Sequence, residues 1–503
     1  MVSQKAIPPF YEKLPTLGSR SFWETGEIDL KEIVMNLPFF MSAMPVITLS
    51  LLGILIAVAI YLLKYKFKKY TLKKWMIIIA LCWTVVAAIV ILFYNIYLSI
   101  GRYQLNVKLA EMRKAGIPLD RNDIIPALPE KDAINGAIFY KAAYKLINTD
   151  DAIFKCAAEY GYDFTKWPDE KRQTFHQVLN SSNIENILNL FRHGAEKPNA
   201  VYNRDYQGFD TSLPELNPQR ALFRIISLKS SLCGLDGKPE AGYSLIYDGF
   251  KTIKQLESEP YAISQLVNIA CTAINIDAMN SLISNYGINS RTALQLMTGL
   301  DKLDFNAAMA HATDGEIMNG RDAFEKIISR QKTVNECFGG SSSLIEKYGL
   351  WPFIYQDYIW YLTYMSKNRS LFSQPYWLEE KQIEELNNEL SRSNLLNLHC
   401  LISATIAMSP NFRIKTARIE SGINVAKLTL ALHIYKNQNG AFPDKLEQLA
   451  PGILKKIPVD PISGKPFEYR KTGGSFTLSS VWLKEKAEEH KKEQEKRNRN
   501  KSK

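Results

Sequence analysis

The chain has 503 residues, room for one large domain or two to three ordinary ones, and 46% of them are hydrophobic. Its net charge of +11 suggests a nucleic-acid partner until the charge is located: residues 64–74 (KYKFKKYTLKK) hold six lysines and no acid, and residues 484–503 hold nine Lys/Arg against five Glu. These two segments carry +10, which leaves the rest at +1, with no basic, aromatic-interleaved face to track a phosphate backbone; no nucleic-acid partner is expected.

In chain order, a polar tail (1–36) with four Lys/Arg and five Asp/Glu comes first. Two uncharged apolar runs follow, 39–63 and 75–100. Each is long enough, at about 1.5 Å per helical residue, to cross a hydrocarbon core of about 30 Å. Buried helices of that length in a soluble protein carry a polar stripe, and these do not. A cleaved signal peptide is not expected, because a long polar tail precedes the first run and a second run follows at once. Residues 37–100 are therefore expected to form a two-helix transmembrane hairpin, with Tyr70 and Trp75 at the interface. Short cytoplasmic loops are rich in Lys and Arg. The lysine loop is therefore read as cytoplasmic, with both termini and the large domain on the outer side of a bacterial inner membrane. The lipid bilayer is thus one partner.

The second span is expected to continue as a helical stalk (101–118) through Arg102–Lys114 to Gly116-Ile117-Pro118. Residues 119–410 read as a helical soluble domain of stacked hairpins. Asn217-Pro218 is read as a cap followed by Pro at the first helical position. Leu222, Ile225, Ile226 and Leu232 then keep a helical period, and Gly234–Pro239 makes a turn. Leu245, Ile246, Phe250, Ile253 and Leu256 line the next helix. Ser258-Glu259-Pro260 is read as the start of a third, which ends near Gly287. No fixed repeat period emerges, so tetratricopeptide repeats are not assigned. Segment 338–376 opens with Gly-Gly-Ser-Ser-Ser and is dense in aromatics, including Trp351, Phe353, Tyr355, Tyr358, Trp360, Tyr361 and Tyr364. They are expected to pack between helices rather than form a recognition face.

The texture changes after Asn439. Gly440-Ala441-Phe442-Pro443 breaks the helix, Asp444 to Leu449 gives a short one, and 466–470 with 475–481 alternate around Thr472-Gly473-Gly474 as a β-hairpin. Residues 411–482 form this C-terminal module. Residues 483–503 alternate charges without apolar anchors and are read as a solvated or disordered tail.

The module's residues resemble a known family. Ala431-Leu432-His433-Ile434-Tyr435, Gly440-Ala441-Phe442-Pro443, Ile457-Pro458-Val459-Asp460-Pro461 and Gly464-Lys465-Pro466-Phe467-Glu468-Tyr469 resemble the C-terminal region of the type II secretion major pseudopilin. That resemblance implies a long helix followed by a small sheet. The helix belongs here to the large domain, and Val481-Trp482-Leu483-Lys484 stands where the family has its acidic calcium loop, so filament assembly and calcium binding are not implied. A broader resemblance, over about 107–482, is to a family of bacterial membrane-anchored helical proteins with the same ending. It is carried by Leu109–Leu119, Asn135-Gly136-Ala137, Glu259–Val267 and Gly315-Glu316. It implies an architecture and no reaction.

The motif search yields no catalytic residue, no cofactor-binding residue and no metal ligand. HExxH, GxSxG, GxGxxG and P-loop patterns are missing. Ser341 to Ser343 follow two glycines without a recognisable base. His193 is read as a cation at a helix C-terminus. Cys82 lies in the second apolar run; Cys156, Cys233, Cys271, Cys337 and Cys400 are widely spaced, and most fall in helical patterns, where Cys is read as a small buried hydrophobe. His311, Asp314 and Glu316 are the densest metal candidates, yet the spacing puts only His311 and Asp314 on one face, and the alternative is a polar helix surface. Two functional readings stand. One is a non-enzymatic scaffold that binds other envelope proteins. The alternative is a membrane-anchored hydrolase whose site assembles only in three dimensions.

Overall fold

A computed structural model describes residues 72–131, 134–149, 168–338, 351–392 and 403–480. The first expected span, most of the lysine loop, Ser341 to Ser343, Cys156, Cys400 and both terminal tails lie outside the described residues. The chain is mostly helical and divides into two compact units, Met1–Tyr103 and Gln104–Lys503.

Helix α1 runs unbroken over Leu72–Lys114, 43 residues, so the apolar run 75–100 and residues 101–114 lie on one helix. It ends where Gly116 takes φ +71 and the amides of Gly116 and Ile117 return to the carbonyls of Arg113 and Met112. Its portion Ala80–Lys114 has a peak mean hydropathy of 2.2 with 6% of that window buried. It is long and apolar enough to cross a membrane. Ala262–Tyr286 also meets that length and composition test, but its window is 61% buried, and its residues belong to the core of the second unit.

The second unit contains α2 (Arg121–Ile124), α3 (Gly136–Thr149), α4 (Asp169–Leu179), α5 (Ser182–Ala195), α6 (Leu216–Leu235), α7 (Pro239–Leu256), α8 (Ala262–Tyr286), α9 (Ser290–Asp301) and α10 (Phe305–Ile328). Then come α11 (Val334–Phe338), α12 (Trp351–Ser370), α13 (Tyr376–Arg392), α14 (Ser403–Ile406) and α15 (Phe412–Asn439). Ser181, Asn289 and Asp304 cap α5, α9 and α10 by accepting from the amides of Ile184, Thr292 and Ala307. Two helix starts differ from expectation. α6 begins at Leu216, ahead of Asn217, so Asn217 is not its cap. Pro218 is tolerated inside the first turn because the amides there have no intrahelical acceptor to lose. α8 begins at Ala262 without a side-chain cap of its own; a carboxylate from another helix serves instead, as described below. The aromatics of α12 do pack: Tyr355, Tyr358, Tyr361 and Tyr364 are buried, and Tyr358 stacks on Phe324 of α10.

The main core joins α3, α5, α6, α7, α8 and α9, and α15 returns from far downstream to close it with Ile419, Ile423, Ala426, Leu430 and Ile434. The other side of α15 builds a second core. Val425, Leu428, Ala431 and Leu432 meet Phe442, Leu446, Leu449 and Phe467. A helix buried on two sides shows no single apolar stripe, which is why α15 looks weakly amphipathic in sequence. After Gly440 stops it at φ +80, a 3-10 turn (Leu446–Leu449) leads to strands β1 (Glu468–Thr472) and β2 (Ser475–Ser479). They pair antiparallel from Glu468↔Ser479 to Thr472↔Ser475 around Gly473-Gly474, the expected hairpin, with Tyr469, Phe476 and Leu478 leaning on α15.

Candidate functional site

The structure does not bring His311, Asp314 and Glu316 together, and no group of metal-ligating side chains occurs among the described residues. Nor do these residues form an exposed polar face. Asp314 is buried and paired with Arg369, whose Nε and Nη2 donate to its two oxygens. Burial pushes its carboxyl above the usual range, and Arg369 works against that. Glu316 points elsewhere and accepts the Ala262 amide at 3.0 Å, so it caps α8 from outside. Burial raises its carboxyl as well. The Tyr361 hydroxyl donates to the Glu316 carbonyl at 2.6 Å. His193 lies in the last turn of α5, its ring nitrogen 2.7 Å from the Asn189 carbonyl.

Short stretches that looked distinctive in sequence turn out to be brackets. Gly315 touches Pro260 so closely that a Cβ on it would lie 1.8 Å from the Pro260 carbonyl oxygen. Thus Glu259-Pro260 and Gly315-Glu316 meet across α8 and α10. Asn135 pairs with the backbone of Val201, donating through Nδ2 (2.8 Å) and accepting through Oδ1 (2.9 Å). Glu259 and Glu215 both take Arg204, whose Nε lies 2.9 Å from Glu215. The Tyr202 ring lies under the guanidinium at 4.8 Å.

A second arginine between two glutamates lies at a cleft of about 890 Å³. The cleft is walled by α9, the start of α10, the α12–α13 turn, α15 and the segment 453–461 of the C-terminal module. Its lining is mixed: Phe305, Phe372, Trp377, Ile423, Leu454 and Pro458 stand among the charged Asp301, Asp304, Glu420, Lys427, Lys455 and Lys456. Arg413, on the first turn of α15, is fully buried. Its Nε donates to the Leu371 carbonyl (2.8 Å) and to Glu379 (3.2 Å), and its Nη2 donates to the Gln374 carbonyl (2.9 Å). The rings of Phe372 and Tyr376 flank it. Glu420 lies two turns along the same helix face, lines the cleft, accepts from Asn306 and stands 3.6 Å from Arg413 Nη1. Burial pushes the carboxyls of Glu379 and Glu420 each up to about 7, with Arg413 opposing; Asp304 adds to the rise at Glu420.

Chemically, the cleft offers mixed apolar and charged walls and one carboxylate poised near neutrality. Sequence reasoning singled out none of Arg413, Glu420 and Glu379. The spacing of seven between Arg413 and Glu420 was a usable signal for one helix face; Glu379 arrives only through tertiary packing. Comparison with protein-family models, curated proteins and solved structures finds no match.

Proposed function

We propose that this chain is a membrane-anchored interaction protein of the bacterial envelope, and that its soluble part holds a polypeptide in the cleft beneath the C-terminal module. The carrying observation is the cleft itself: about 890 Å³, with Phe305, Phe372, Trp377 and prolines beside six charged side chains, of the size of ligand sites. The buried acids away from it are occupied in helix capping and ion pairing. The pseudopilin-like ending adds, by analogy, a secretion or surface context. In this reading the large domain faces outward from the inner membrane.

The test places a photo-crosslinking residue at Trp377 in the full chain in native membranes, with Leu294, exposed on α9, as the control position. Polypeptide adducts from position 377 alone are expected, and equal labelling from both positions would sink the reading. Reporter fusions check orientation: a fusion at residue 70 should work only as a cytoplasmic reporter, and fusions after residue 120 only as exported ones. The reverse pattern would put the domain inside the cell. The hydrolase reading is favoured by one observation, the Glu420 carboxyl near 7 in a cleft, where a general base would sit. Substrate turnover that disappears in Glu420→Gln would establish it.

A further inference from the structure

We infer that the outer edge of β2 pairs antiparallel with β2 of a second copy of this chain, in a register centred on Thr477, so that the two hairpins make one four-stranded sheet. The two strands present different edges. β1 carries Glu468, Arg470 and Lys471, and the chain just before it is covered by the bridge between Val459 and Pro466. Charged side chains and covered ends are the usual protection of an edge against other chains. β2 reads Ser-Phe-Thr-Leu-Ser, without a charge or a proline. Beyond the ladder to β1, no backbone hydrogen bond joins Ser475–Ser479 to another of the described residues.

The pattern of β2 names its partner. By residue type the strand reads the same in both directions: polar, apolar, polar, apolar, polar about Thr477. Paired across a two-fold axis, Ser475 meets Ser479 of the second copy, Phe476 meets Leu478 and Thr477 meets Thr477. All apolar side chains then share one face and all hydroxyls the other, whereas a slip of one residue sets apolar against polar. Phe476 and Leu478 are only half-buried against α15, and the pairing covers more of them; cross-strand apolar and Thr–Thr pairs of this kind are favourable. The charged β1 strands become the two outer edges of the new sheet, so no unprotected edge is left. An unrelated strand would gain the backbone bonds without this matched register, which favours a second copy. At 5 residues the ladder is short. Its strength therefore rests on the membrane anchoring proposed above, which confines both copies and raises their effective concentration.

The experiment uses the full chain in native membranes, with Thr477→Cys as the reporter. Directly opposed residues of an antiparallel pair have Cα atoms about 4.5–5.5 Å apart, within the span of a disulfide. Mild oxidation with copper phenanthroline should join position 477 of two copies, as identified by peptide mapping. The parent chain supplies the background from the native cysteines. Joining at 477 should be about tenfold faster than at position 470 in Arg470→Cys, exposed on β1, because a disulfide tolerates little separation. Two further variants carry the reporter and change the flanking pairs. Ser475→Lys with Ser479→Lys sets like charges opposite each other and should cut the yield about tenfold. Ser475→Glu with Ser479→Lys sets opposite charges at the same pairs and should restore it. Equal yields from these two variants, or joining at 477 no faster than at 470, would overturn the pairing. So would a mixed disulfide with another protein in place of the second copy. Carbonate extraction of the same membranes reads the anchor separately. Chain retained in the membrane without the disulfide overturns the pairing alone; chain released with the disulfide formed overturns the anchor alone.

Discussion

Arg204 and Arg413 are each buried between two glutamates, and the two clusters put the same three side chains to different use. Around Arg204 everything is enclosed: the side-chain exposures of Arg204, Glu215 and Glu259 are 5%, 4% and 5%. Both carboxylates contact the guanidinium directly, the Tyr202 ring closes one face, and α8 begins just beyond Glu259. Around Arg413 one carboxylate is enclosed and the other is not. Glu379 is 5% exposed, whereas Glu420 is 23% exposed and lines the cleft at 3.6 Å from the guanidinium. A closed cluster fixes the loop between α5 and α6 against the turn before α8. A cluster left open on one side leaves a carboxylate at the cleft wall. Composition alone does not distinguish an enclosed ionic cluster from one that reaches a cleft; packing does.

Removing the arginine of the closed cluster should have the largest effect. Arg204→Met leaves Glu215 and Glu259 facing each other without the cation that contacts both. A loss of about 3–5 kcal/mol is expected, because breaking a buried pair strands its charge. Thermal unfolding of the full chain in detergent reads this out. A melting temperature within error of the parent would mean the cluster opens to solvent, and the comparison would collapse. Gly315→Ala tests the same corner through sterics alone. Its Cβ would fall 1.8 Å from the Pro260 carbonyl oxygen, so α8 and α10 must separate, at about 1–3 kcal/mol. The loss should be accompanied by faster hydrogen exchange at the amide of Ala262, which depends on Glu316 for its acceptor. Normal protection at Ala262 would show that the bracket yields elsewhere.

Much of the fold could be read from local pattern. The uncharged run that becomes α1, the turn at Gly234–Pro239, the stop at Gly287 and the hairpin around Gly473-Gly474 all follow from short-range rules of hydropathy and turn chemistry. The start of α8 could not be read that way, since its cap, Glu316, is 54 residues away. The hydropathy of α8 equally fails to separate a core helix from a membrane span; burial by its neighbours does that. For the cleft, Arg413 and Glu420 lay on one helix face in plain view. Nothing local said that Glu379 would share the arginine, or that α15 would be buried on two sides. Carboxylates become chemically distinctive through desolvation, and desolvation is a property of the packed chain.

The smallest effect concerns pH, and its sign is opposite to that of a well-paired carboxylate. Glu379 and Glu420 both have carboxyls raised in the folded protein to about 7, chiefly by burial, above the value near 4.3 that a glutamate has in an unfolded chain. Between those values the folded state binds more protons than the unfolded state, so stability falls as pH rises. The stabilisation is complete below the unfolded value and lost as pH climbs through about 7. The contribution from Glu420 alone should appear as a decline in melting temperature of about 1–2 °C between pH 5 and pH 8. Glu420→Gln replaces the titrating group by a neutral one of the same shape that can still accept from Asn306. It should remove part of the decline, leaving stability near that of the parent at pH 5 and above it at pH 8. If the variant instead loses stability at pH 8, Arg413 holds Glu420 as a carboxylate. The second cluster would then be as closed as the first.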